Sequence, residues 1–296
     1  MSHGSLTLSR TEIGERLAKA GYIADRELTV ALSLMQRLAR PLLLEGEAGV
    51  GKTAVAYAIA SVHETELIRL QCYEGLDQSA ALYEWNYQRQ LLAIQARQGE
   101  AAGGLEDAVF SEKYLMERPL LAAIRRQKAP VLLIDEIDRA DEEFEAFLLE
   151  LLSDFQVSIP ELGTITAVTI PHVVLTSNGT RELSDALRRR CLYHHIDYPD
   201  VEREARIILA RIEGAGAALA LQIARMVENI RKEDLRKVPG VAETLDWAAV
   251  LVGLDIADLK DDPEAVHETL ACLLKTREDK ARFRREVTER LLGRVA

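Results

Sequence analysis

The stretch Gly46-Glu47-Ala48-Gly49-Val50-Gly51-Lys52-Thr53 constrains the fold of this chain more than any other. Its three glycines let the main chain wrap closely around an anion, where larger residues would strain the turn. Residues 41–45 before it, Pro-Leu-Leu-Leu-Glu, form a short apolar run that reads as a strand. Residues 54–60 after it are apolar and free of helix breakers, so they read as helix. Strand, glycine-rich turn and helix start together aim backbone N–H groups and a helix N-terminus at one phosphate group. The spacing predicts that Gly46, Glu47, Ala48, Gly49, Val50 and Gly51 form the cradle. Lys52 would reach the β- and γ-phosphates, and the Thr53 hydroxyl would hold Mg²⁺.

The rest of the chain supports an α/β reading. Residues 11–39 predict two helices broken at Gly21-Tyr22-Ile23, with Asp25 placed to cap the second. The apolar positions Leu28, Leu32, Met35 and Leu38 fall on one face of that helix. Further strand-like runs occur at 67–70, 131–134, 173–176 and 193–196, with helical stretches between them. Continuous apolar strands alternating with helices predict a parallel sheet covered on both faces. Pro199-Asp200 marks a boundary. Beyond it the pattern is nearly all helical, over 201–212, 216–231, 243–253, 263–275 and 278–292, with Asp262-Pro263 as a cap and first-turn proline. Residues 1–40 thus read as helices leading into an α/β core at 41–199, and 200–296 as a helical lid. The most loop-like stretch is 98–107.

Charge narrows the function. A formal net charge of −11 over 296 residues argues against a protein whose main task is to grip nucleic acid, so no DNA partner is expected. No apolar run approaches the roughly 20 residues that a bilayer span needs, and the first ten residues lack the apolar stretch of a signal peptide. These features predict a cytoplasmic location with no transmembrane segment. Cys72, Cys191 and Cys272 are far apart and read as small buried residues rather than metal ligands. His194-His195 reads as structural.

Three further elements carry chemistry. Residues 131–134 are an apolar run ending in Asp135-Glu136, at the edge where an open α/β sheet binds its ligand. Asp135 would complete the Mg²⁺ surroundings, and Glu136 would polarise the water attacking the γ-phosphate; otherwise the pair merely opens a polar turn. The following acidic stretch, 138–154, carries Phe144, Phe147, Leu148 and Leu151 at helical spacing, so most of its acids read as a solvated face. Residues 173–176 lead to Ser177-Asn178, whose amide would hold the attacking water; Asn is also a common turn residue. Last comes Arg188-Arg189-Arg190-Cys191. A guanidinium from here could neutralise charge on the γ-phosphate of a neighbouring copy, or the run is a basic helix end complementing the helix dipole.

In this order the motifs resemble those of AAA+ ATPases, over nearly the whole chain, and within them the MoxR group. Residues 71–77, Gln-Cys-Tyr-Glu-Gly-Leu-Asp, and 155–161, Phe-Gln-Val-Ser-Ile-Pro-Glu, resemble segments of that group. The resemblance implies an α/β P-loop NTPase core followed by an all-helical lid, Mg²⁺-dependent ATP hydrolysis and assembly into a hexameric ring. It implies Asn178 in the sensor position and Arg190 as the arginine finger, with Arg189 as the alternative. Residues 81–87 and 243–247 further resemble an accessory ATPase branch that serves carbon monoxide dehydrogenase. This implies a metalloenzyme client, while the resemblance to the MoxR group implies a partner with a von Willebrand factor A-type domain. The lid departs from the group at Gly240-Val241-Ala242-Glu243-Thr244, where the group usually carries an arginine. Two rival functions fit parts of the pattern: a DNA-directed ATPase, and a nucleotide-gated scaffold that barely hydrolyses. Two segments could touch a client, 98–118 with Phe110 and Tyr114 and a hairpin near 155–168 with Phe155 and Ile159, but their aromatics read first as core or subunit contacts.

Overall fold

The computed structural model describes residues 8–96 and 109–295, so the loop-like stretch 98–107 lies outside the described residues. The chain divides into two units. One holds residues up to Ile13, Arg26–Glu45 and Ala56–His194; the other holds Gly14–Asp25, Gly46–Val55 and His195 onward.

The described strands, in chain order, are β1 (Leu42–Glu45), β2 (Leu67–Gln71), β3 (Tyr83–Trp85), β4 (Leu115–Glu117), β5 (Val131–Asp135), β6 (Gln156–Ile159), β7 (Gly163–Thr166), β8 (His172–Ser177) and β9 (Leu192–His195). The expected strand runs all fall in one five-stranded sheet of order β2-β5-β8-β1-β9. β2 pairs with β5, β5 with β8 and β8 with β1, each in parallel. The central strands are buried on both faces, which is why they read as unbroken apolar runs. Leu43, Leu132, Ile134 and Leu175 pack with Leu120, Leu121, Ile124, Phe144, Leu148 and Leu151 in one hydrophobic core. β3–β4 and β6–β7 form separate antiparallel hairpins, the second at the expected place.

Parallel register aligns the carboxyl ends of the strands. Glu45 lies opposite Ser177, and Asp135 lies opposite Gln71. The loops that follow β5 and β8 therefore leave from the same edge. Helices Arg10–Lys19 and Arg26–Leu38 precede the sheet, separated by Gly21 at φ 77°. Leu28, Leu32 and Met35 are buried as expected; Leu38 is 53% exposed because the helix ends there and Ala39 turns left-handed.

The second unit has its own core, in which Ile208, Ile223, Val227, Trp247, Leu251 and Leu291 pack together. Its helices are Val201–Arg211, Ala217–Arg231, Val241–Gly253, Pro263–Thr269, Arg277–Arg282 and Arg285–Leu292. Asp262 caps Pro263–Thr269 by accepting a hydrogen bond from Ala265 N at 2.9 Å. The run expected as one helix over 278–292 is two, broken at Phe283-Arg284, because Phe283 turns into the core and is 4% exposed. Similarly, the run from 263 ends at Thr269 and continues only as the tight turn Leu270–Cys272.

Cys72 and Cys191 are buried and unpaired, with burial first among the causes that push both thiols up to about 12; Cys272 is half-buried. Among the described residues no helix is long and apolar enough to cross a membrane, and no group of three or more His, Cys, Asp or Glu could hold a metal.

Candidate nucleotide site

The carboxyl edge of the sheet, in the first unit, gathers the acids singled out by sequence. Asp135 ends β5 and is 3% exposed. Its Oδ1 accepts a hydrogen bond from the Thr176 hydroxyl at 2.5 Å, across the parallel pairing with β8. The same Thr176 oxygen accepts from Glu136 N at 2.9 Å. One buried hydroxyl thus fixes both the carboxylate and the turn after it. Glu136 occupies the left-handed region at φ 55° and ψ 51°, a conformation that costs a non-glycine residue about 1–3 kcal/mol and clusters at functional sites. Its carboxylate is half-exposed and only loosely paired with Arg139, at 3.8 Å.

Asp138 fixes the neighbouring loop. It is 4% exposed, and its Oδ2 accepts from Asn178 N at 3.2 Å, Thr180 N at 3.0 Å and the Thr180 hydroxyl at 2.6 Å. Burial opposes its ionisation, but these hydrogen bonds outweigh burial and hold the carboxyl below its ordinary range. The structure therefore brings Asp135, Glu136 and Asn178 to adjacent strand ends. Asp135, Asp138 and Glu136 together add to the upward push on the Cys72 thiol, which registers negative charge concentrated at this edge. Arg69 on β2 answers part of it, donating from Nε at 3.0 Å and Nη2 at 2.5 Å to Asp135 Oδ2.

The glycine-rich loop, in the second unit, is held by main chain. Gly49 and Gly51 have φ of +83° and +97°, which their spacing in the motif requires. A Cβ at Gly46 would meet Ile196 O at 2.2 Å, and one at Gly240 would meet Gly49 Cα at 2.7 Å. Val241 N donates to Gly49 O at 2.8 Å. Lys52, 6% exposed, donates to Gly46 O and Glu47 O, both at 2.7 Å, so the loop curls around its own lysine. Residues 240–244, where the resembled group carries an arginine, supply backbone contact with the loop instead. In the same unit the Arg231 side chain is 8% exposed. It forms a two-pronged pair with Glu204, both contacts at 2.7 Å, donates to Pro239 O at 2.9 Å and stacks 4.6 Å over the Tyr198 ring. Tyr198 OH in turn donates to Ala48 O at 3.4 Å. Lys237 is exposed, with its N–H tied to Asp279.

Helix Asp185–Arg190 carries the three arginines. Arg188 pairs with Glu45 at 3.3 Å, and Arg189 is exposed. The Arg190 guanidinium donates to the Ser153 hydroxyl and to Ala186 O. Arg40 closes the helix end, donating to the carbonyls of Arg189, Arg190 and Cys191. The acidic run is not uniformly solvated. Glu145 is 1% exposed and receives Arg181 and, at 2.9 Å, Ser184 N.

The aromatic and apolar residues of the two candidate client segments are largely in the core, as their first reading has it. Ile159 and Tyr114 are buried, Phe155 packs on the core and Phe110 lies edge-on to Trp85. Residues 98–108 of that expectation lie outside the described residues. Exposed apolar side chains gather instead on helix Tyr87–Ala96, at Tyr87, Leu91 and Leu92.

Thr53 carries a hydroxyl and Asp135 a carboxylate, each a hard oxygen donor of the kind that Mg²⁺ takes in preference to a thiophilic ion. A model of the AAA domain, dynein-related subfamily, matches residues 41–191. The gas vesicle ATPase GvpN2 of Halobacterium salinarum is 24% identical over 96% of this chain and 86% of its own length. A Staphylococcus aureus protein is 28% identical over 75% of this chain and 78% of its own. Among solved structures, the Thermotoga maritima RuvB Holliday junction branch migration motor aligns over 86% of this chain and 68% of its own, at 20% identity and a TM-score of 0.44.

Proposed function

We propose a role for this chain from a fixed premise: it belongs to the AAA domain family, dynein-related subfamily, and it is an ATPase. On our reading, residues 46–53 cradle the triphosphate, with Lys52 turning from its loop carbonyls to the β- and γ-phosphates. Thr53 and Asp135 would hold Mg²⁺, which when bound offsets charge on the phosphate oxygens. Glu136 orients the attacking water and accepts its proton. Asn178 holds that water against the γ-phosphate. The observation that carries this reading is the adjacency of Asp135, Glu136 and Asn178 at neighbouring strand ends, braced by Thr176 and Asp138.

A neighbouring copy in a ring, on this reading a hexamer, contributes the arginine. Arg190 is the residue the family pattern selects. Its ties to Ser153 and Ala186 must loosen for it to reach across, whereas the exposed Arg189 is already in solvent. Mixing Lys52→Ala protein with either Arg189→Ala or Arg190→Ala protein distinguishes them. For the true finger, each variant is inert alone and turnover returns in the mixture.

The work done by hydrolysis is remodelling of a client metalloenzyme. Residues 81–87 and 243–247 resemble CoxD, the accessory ATPase encoded with carbon monoxide dehydrogenase. The client would then be the apo form of that enzyme, opened so that its copper–sulfur–molybdenum site can be completed, with a von Willebrand factor A-type partner. Limited proteolysis of apo carbon monoxide dehydrogenase tests this. A cleavage pattern that changes with this protein and ATP, but not ADP, is expected; an unchanged pattern with all accessory proteins present removes the client.

A further inference from the structure

We infer that Arg69 is a counter-ion latch on Asp135: it occupies the carboxylate when no divalent cation is bound and competes with Mg²⁺ for it, so that it sets how much Mg²⁺ the nucleotide site requires. This rests on the proposed role of Asp135.

The arrangement follows from strand geometry. β2 is an edge strand, and its burial alternates, with Ile68 and Leu70 inward and Arg69 and Gln71 on the open face. Register places Gln71 opposite Asp135, so Arg69 lies two residues upstream and its side chain runs along the strand to reach the carboxylate. Both donors, Nε and Nη2, converge on Oδ2, while the Thr176 hydroxyl donates to Oδ1. Gln71 Oε1 steadies the guanidinium at 2.5 Å.

The two partners differ in freedom. The Asp135 side chain is 4% exposed, whereas that of Arg69 is 45% exposed. Asp135 is pinned by a buried hydroxyl, and a buried carboxylate without a counter-charge is costly. Its neighbours Glu136 and Asp138 add negative charge, so this edge demands a cation. Arg69 supplies one. It can also leave, because its head is half in water and its stem is flexible. Two cations that favour one carboxylate oppose each other's binding. Arg69 therefore weakens the site for Mg²⁺ by the part of the ion pair that must be broken.

The test is a Mg²⁺ titration of equilibrium binding to a fluorescent ADP analogue, using the full chain. Arg69→Met keeps the apolar stem and removes the charge. Because the arginine is half-exposed, its half-saturating Mg²⁺ concentration should fall by about three- to tenfold. Arg69→Lys, which keeps a charge but loses the fork, should fall between Met and wild type, and reports the shift if the Met variant does not fold. Variants that need as much Mg²⁺ as wild type, or more, overturn the latch alone. Wild-type protein that binds no nucleotide at any Mg²⁺ concentration overturns the underlying reading, and the latch with it.

Discussion

The carboxyl edge of the sheet and the glycine-rich loop are fixed by opposite means. At the edge, side chains do the holding: Thr176 grips Asp135 and the Glu136 turn, Asp138 grips the loop from Asn178 to Thr180, and Arg69 answers the charge. In the loop, main chain meets main chain at Gly46, Gly49 and Gly240, and even Lys52 bonds to loop carbonyls. Side-chain holding allows chemistry to be changed one atom at a time with the scaffold intact. Main-chain holding does not, since any added carbon displaces backbone.

The largest expected effect separates these two modes. Glu136→Gln is isosteric and should lower phosphate release by about 10²- to 10⁴-fold, with nucleotide affinity within about twofold of wild type. Equal release by the two proteins, measured at saturating ATP, would remove Glu136 from the chemistry. Next is Arg231→Met, which strands Glu204, a residue 1% exposed, as an unpaired buried charge. It should destabilise the second unit by about 3–5 kcal/mol in urea unfolding. Gly46→Ala drives a Cβ to 2.2 Å from Ile196 O. It should cost about 1–3 kcal/mol and weaken nucleotide binding at least as much as turnover, the reverse of Glu136→Gln.

The smallest effect is a pH dependence in the first unit. His172 stacks on His63 at 4.4 Å between ring centroids, and burial followed by the His63 charge lowers its pKa from 6.5 to about 4. Between those values the unfolded chain binds the extra proton and the folded chain does not, so stability rises with pH across that window and is complete above it. Discounted for partial exposure, the change should be about 1–2 kcal/mol between pH 4 and 6.5, and His172→Phe should flatten it in thermal melts.

The sheet and the loop were legible because each is a local pattern: apolar runs of strand length, and glycines at fixed spacing before Lys52 and Thr53. The residues that brace the site were not. Thr176 and Arg69 act through strand register, which appears only when β5 lies between β2 and β8. Asp138 and Glu145 sit in an acidic run that reads as solvated, yet their partners Thr180 and Arg181 arrive from the loop after β8. The break at Phe283-Arg284 has no glycine or proline to announce it; burial of one aromatic ring decides it.

The contact between Gly49 and Gly240 has a mechanical meaning. With no side chain between the two backbones, nothing soft is available to absorb a shift of helix Val241–Gly253. Any tilt of that helix must therefore either carry the loop's carbonyl with it or break the hydrogen bond from Val241 N–H to Gly49 O. Such a joint would pass a displacement on undiminished, and it leaves no intermediate residue size through which to soften it.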